Sequence, residues 1–113
     1  MAYNLELADS IRNYLQLFPD LKIAEKKMFG GLAFMVNGKM CINASGDNLM
    51  CRFDPERTEE LVLKTGFLPM QMKGKVYQGY CYVEPAGCKR KKDFKFWLDL
   101  CLDYNASAKS SKK

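Results

Sequence analysis

Histidine is missing from this chain altogether. Its absence removes the commonest general base and the cysteine–histidine pairing that activates thiol nucleophiles. A zinc site would have to be built from cysteines alone, and none of the five is spaced as CxxC. Five is also an odd number. Cys41, Cys51, Cys81, Cys88 and Cys101 therefore read as free thiols of a reducing compartment rather than a disulfide framework. No apolar run approaches the ~20 residues that a membrane-spanning helix needs. The start, Met1-Ala2-Tyr3-Asn4-Leu5-Glu6, lacks the basic segment and cleavage pattern of an export signal, so a cytoplasmic location is the expectation.

Acidic side chains are the scarcer charge, 13 against 18 basic ones, for a net charge of +5. The basic excess sits late, in Lys89, Arg90, Lys91 and Lys92 and in the tail lysines Lys109, Lys112 and Lys113. Such a balance permits anionic partners. Yet no long basic stripe with interleaved aromatics is present, so a solvated helix start and a solubilising tail are favoured over a nucleic-acid contact. The 113 residues are 48% hydrophobic, enough for one domain with a real core. That domain is expected over residues 1–106, followed by a disordered basic tail over 107–113.

The chain then reads as follows. Asn4 caps a helix reaching about Phe18, with Leu7, Ile11, Tyr14, Leu15 and Phe18 on one stripe, and Pro19 stops it. Residues 23–29 form a first strand near an edge, where Lys26 and Lys27 give protection. Strands over 32–36 and 39–44 flank Asn37-Gly38, the strongest short-range hairpin signal because both central residues of a type I′ turn need positive φ. A fourth strand covers 49–53. Asp54, Pro55 and Glu56 open a helix that Gly66 terminates after Thr65. Residues 67–75 read as an irregular connection, 76–83 as a last strand and 91–106 as a closing helix. The fold class is α+β: a mainly antiparallel meander of roughly five strands packed with N-terminal and C-terminal helices plus one inserted helix.

A two-residue turn at Asn37-Gly38 pairs Val36 with Lys39, Met35 with Met40 and Ala33 with Ile42. A four-residue loop at 45–48 pairs Ala44 with Leu49 and Ile42 with Cys51. Ala33, Met35, Met40, Ile42, Ala44, Leu49, Cys51 and Phe53 then share the core face. Leu32, Phe34, Val36, Cys41 and Met50 fall on the less protected face. With the loop methionines Met70 and Met72 they form a candidate surface for self-association or a protein partner. Glu56, Glu59 and Glu60 read as a solvated helix face rather than an acid–base set. Cys88 precedes a basic helix start that could lower its pKa, but an incidental loop thiol is favoured. No catalytic, cofactor-binding or metal residue and no small-molecule substrate is assigned.

Met28-Phe29-Gly30-Gly31, preceded by Lys27, interrupts an extended run with two glycines, the signature of a bulge or a close backbone approach. This motif comes first in a longer pattern. An apolar strand follows, then Asn37-Gly38-Lys39-Met40, then a strand closed by Asp54. Tyr80-Cys81-Tyr82-Val83-Glu84 comes last, before the final helix. The whole resembles the N-terminal domain of the TfoX/Sxy family, over roughly residues 5–104. The resemblance implies an α+β fold of helices on a mainly antiparallel sheet. It also implies a bacterial, cytoplasmic, regulatory role, since founding members regulate DNA uptake. It supplies no catalytic residues, and the chain is expected to be a stand-alone member, without the second domain of the full-length regulators. A non-catalytic interaction module is therefore the expected function. The alternative is a nucleic-acid-associated accessory protein using residues 89–92 and the tail.

Overall fold

A computed structural model describes residues 3–28, 30–72 and 74–106, the side chain of Met72 excepted. The expected tail and Phe29 lie outside the described residues. Helix α1 runs over Leu5–Leu15. The Asn4 side chain caps it by accepting from the amides of Glu6 at 2.8 Å and Leu7 at 3.1 Å. Ala8, Ile11 and Leu15 point into the core. The α-helix stops short of Phe18 because Leu17 and Phe18 donate instead to Tyr14 and Leu15, a tighter final turn.

Six strands form one antiparallel sheet: β1 (Ile23–Met28), β2 (Gly31–Val36), β3 (Lys39–Ser45), β4 (Asn48–Arg52), β5 (Phe67–Met72) and β6 (Lys75–Val83), in the order β1-β2-β3-β4-β6-β5. The short helix α2 covers Thr58–Leu61 and α3 covers Lys91–Asn105. The α+β class holds, but the segment over 67–75 is an edge strand and its hairpin rather than an irregular connection. Asp54 caps as expected, accepting from Glu56 at 3.0 Å. The inserted helix is shorter than 54–65: Pro55–Arg57 are a 3₁₀ turn, and the chain leaves the helix after Leu61.

Asn37 and Gly38 have φ of 53° and 83°, as the expected turn requires. Val36 pairs with Lys39 and Met35 with Met40. The next pair corrects the sequence reading: Phe34, not Ala33, faces Ile42, and Cys41 is the extra residue of a β-bulge. The bulge turns Cys41 and Ile42 to the same side. Leu32, Phe34 and Val36 thereby join Ala44, Leu49 and Cys51 on the face that α1, α2 and α3 cover. Ala33, Met35, Met40, Met50 and Met70, with Met28, Tyr80 and Tyr82, form a separate cluster on the other face. Every described helix contributes to the first cluster and none to the second.

Gly31 packs directly against β3. A Cβ there would meet the Ala44 carbonyl oxygen at 2.1 Å and Asn43 Oδ1 at 2.7 Å. Asn43 is fully buried and its Nδ2 donates to the Met28 carbonyl at 3.1 Å, which fastens the β1–β2 turn to β3. Two stability predictions follow from this packing. Gly31→Ala should cost well over the ~1 kcal/mol of an ordinary propensity change, and a thermal melt within error of the parent would refute the close approach. Phe34→Ala should cost ~3–5 kcal/mol by denaturant unfolding, because Phe34 is core.

Candidate functional site

The surface proposed from the sequence does not exist as one surface. Leu32, Phe34, Val36 and Cys41 are buried beneath the helices, Phe34 with no exposed area. The Arg12 guanidinium of α1 lies 5.9 Å from the Phe34 ring centroid. Met50 and Met70 are on the opposite face and equally buried, in the methionine cluster. Met72 closes β5 opposite Lys75, and its side chain is outside the described residues. The physical reason is the bulge at Cys41, which shifts the phase of β3 so that Ile42 and Ala44 share the helix side with Phe34 and Leu32 while Ala33 faces away.

Of the glycine motif, Met28 ends β1, half-buried against the methionine cluster, and pairs with Gly31. Gly30 has φ +71°, which an L side chain resists. Met28, Gly30 and Gly31 lie where the chain reverses from β1 into β2.

Lys89, Arg90, Lys91 and Lys92 are brought together, all exposed, at the N-terminus of α3. Two of the cations on this side are engaged. Arg90 Nε lies 3.5 Å from Asp93, and the Lys64 ammonium lies 4.0 Å from the Phe96 ring centroid. These four residues line an open depression of about 300 Å³. Its lining carries both signs of charge, Lys64 and Arg90 beside Asp93.

Four of the five cysteines share the helix-side core: Cys41, Cys51, Cys81 and Cys101. Cys51 stands directly opposite Cys81. Hydrogen bonds with the Cys101 and Cys81 thiols, together with burial, hold the Cys51 thiol well above the usual range. Burial, then the neighbouring Cys101, does the same for Cys41. Cys88 is half-buried, and burial, then Asp93, raises its pKa, against the alternative in which the basic helix start lowers it. Among the described residues no group of three or more cysteines and carboxylates is placed to hold a metal ion. No helix among them is long and apolar enough to cross a membrane.

The other charged cluster joins α1 to the edge strand β1. Arg12 Nε reaches Glu25 Oε2 at 2.5 Å, Nη2 reaches Oε1 at 2.8 Å, and Nη1 reaches Asp9 at 2.5 Å. The Arg12 hydrogen bonds hold the Glu25 carboxyl below the ordinary range, against the opposing effect of burial. Nothing in the sequence distinguished Glu25 from its charged neighbours. Only the i to i+13 approach of helix and strand reveals the pair.

Two measurements check these environments. In the folded protein only Cys88 should react with a thiol reagent, and more slowly than an unfolded control, because its thiolate is disfavoured. Fast modification of a second cysteine would contradict the burial. For Glu25, the folded pKa lies below the unfolded one. Its contribution is therefore complete above the unfolded carboxylate pKa and is lost as pH falls through the folded value. Glu25→Gln should cost under ~1 kcal/mol at pH 7 and flatten the acid limb of Tm against pH. An unchanged acid limb would show that the pair does not form.

Comparison with known proteins gave one finding. No curated protein and no solved structure matches the chain. The TfoX N-terminal domain family matches residues 14–104, all six strands and α3 up to Tyr104, and the chain belongs to that family.

Proposed function

We propose that this domain is a non-catalytic protein-interaction module of the competence-regulator type, acting through its surface on another protein. The observation that carries this reading is the family membership over residues 14–104. The site chemistry supports it. The charged groups with shifted protonation are surface ion pairs: Arg12 with Glu25, Arg57 with Glu60, and Lys95 with Asp99. The Cys41 and Cys51 thiols are held protonated, which is the wrong state for a nucleophile. Bacterial origin, a cytoplasmic location and a regulatory role belong to the same reading.

The test is affinity capture after in-cell crosslinking, with the purified domain then titrated by calorimetry against whatever is captured. A reproducible stoichiometric complex is the expected result. A domain that captures nothing above an unrelated control, yet turns over a substrate in an activity screen, would overturn the reading.

A second reading rests on the clustering of Lys89, Arg90, Lys91 and Lys92 at one exposed helix end. If these residues hold nucleic acid, binding must weaken steeply between 50 and 200 mM salt in a gel-shift assay, by roughly the counterion-release slope of ~0.9 per phosphate contact. The expected result is no salt-sensitive shift. A steep slope abolished by Lys91→Glu with Lys92→Glu would replace the first reading with this one.

A further inference from the structure

The two edges of the sheet are unequal. At β5, the Glu84 amide donates to the Gly66 carbonyl at 2.9 Å, and the register Phe67 with Val83, Leu68 with Tyr82 and Pro69 with Cys81 continues from that bond. Narrow hydrogen-bonded pairs alternate in an antiparallel ladder, so Phe67 and Pro69 turn their backbone groups outward. Pro69 has no N–H to offer, and the Phe67 amide is spent on Lys64 at 3.3 Å. The β5 edge is closed to a further strand there.

At β1 the same reasoning gives the opposite result. The Asn37 amide donates to the Lys22 carbonyl at 2.8 Å, and the register is unbroken from Ile23 with Val36 to Met28 with Gly31. Ile23, Glu25 and Lys27 therefore present both N–H and C=O to the open edge. No proline or bulge interrupts them. The side chains along this edge set the charge. Lys26 lies opposite Ala33, on the methionine side of the sheet, and Lys22 shares its two-residue phase. Lys27 lies opposite Leu32, on the helix side. Arg12 neutralises Glu25, the only carboxylate of the strand. The edge is thus a row of free backbone groups flanked by uncompensated positive charge.

A second copy of this chain is a poor occupant. A two-fold axis normal to the sheet sets one residue against itself. At Lys26 or Lys27 that is a direct like-charge contact, and about Glu25, whose charge Arg12 takes up, the lysines of both copies still gather on one short ladder with no free carboxylate between them. We propose that β1 docks an extended acidic segment of a protein partner. The segment pairs antiparallel through Ile23, Glu25 and Lys27 and sets its carboxylates opposite Lys22 and Lys26. This rests on the interaction-module reading and names the chemistry of its partner.

The test uses the full chain labelled with ¹⁵N and a blocked peptide of alternating glutamate and valine, with alternating lysine and valine as the control. The acidic peptide should shift the amides of Ile23, Glu25 and Lys27 and slow their hydrogen exchange; the basic peptide should not. Lys27→Pro removes an outward N–H and a charge without touching the bonds to β2, and should weaken binding at least tenfold. Lys26→Glu keeps every backbone donor and should reverse the preference between the peptides. It decides the matter if the proline variant does not fold. Shifts confined to residues 89–92, or unchanged affinity in Lys26→Glu, would overturn the proposal. A partner captured equally well by parent and by Lys26→Glu would sink the edge while leaving the module reading intact. A parent that captures nothing would sink the module reading itself.

Discussion

One extra residue, Cys41, sets the arrangement of this sheet. Side chains alternate along a strand, so one inserted residue exchanges the two faces for everything beyond it. On the turn side of the bulge, Met35 and Met40 pair on the face without helices. On the far side, Phe34 meets Ile42 and Leu32 meets Ala44, on the face with them. Val36 and Lys39, at the turn itself, are also helix-side, and α3 uses them. Asn105 Nδ2 donates to the Val36 carbonyl at 3.3 Å, and Lys39 Nζ donates to the Asn105 carbonyl at 2.8 Å. Without the bulge, that clamp and the Phe34–Ile42 packing could not share one face.

The core divides by chemistry as a result. The helix side holds large, shape-specific groups: Phe34, Phe53, Trp97, with the Trp97 indole N–H donating to the Gly87 carbonyl at 3.2 Å. Four cysteines fill the spaces between strands and α3 as small hydrophobes. The other side is mostly methionine, unbranched and tolerant of an irregular outline. α1 is secured through its C-terminal half. Tyr14 donates to Asp99 of α3, while Arg12 spans Glu25 and the Phe34 ring. These contacts fix the helices to β1 and to each other, so the edge strand is held from one face as well as from β2.

Much of this was legible in the residues. Asn4 and Asp54 cap because short polar acceptors satisfy orphan amides, and Asn37-Gly38 turns because both positions need positive φ. The Ala44–Leu49 and Ile42–Cys51 pairs are as expected, although the loop between them is tighter. The bulge was not legible. Leu32 to Val36 and Met40 to Ile42 are apolar at every position, so a one-residue slip exposes no polar group and leaves no mark in the pattern. β5 was hidden by Pro69, which argues against a strand unless the strand is an edge with that nitrogen outward. The Arg12–Glu25 pair was hidden because it joins two elements whose docking angle no local rule supplies.

The difference between the two edges is one of kind. At β5 the obstacle is a missing donor, which no salt concentration or neighbouring charge restores. At β1 the obstacle is electrostatic, carried by Lys22, Lys26 and Lys27 beside intact donors and acceptors. An electrostatic guard is conditional. It repels a like edge, weakens as salt screens it, and becomes an attraction when the approaching strand carries carboxylates. A proline guards against every strand alike, whereas lysines guard by sign. A sheet blocked by a proline on one side and guarded by charge on the other can admit one class of strand and disfavour copies of itself, without a cavity or a moving part.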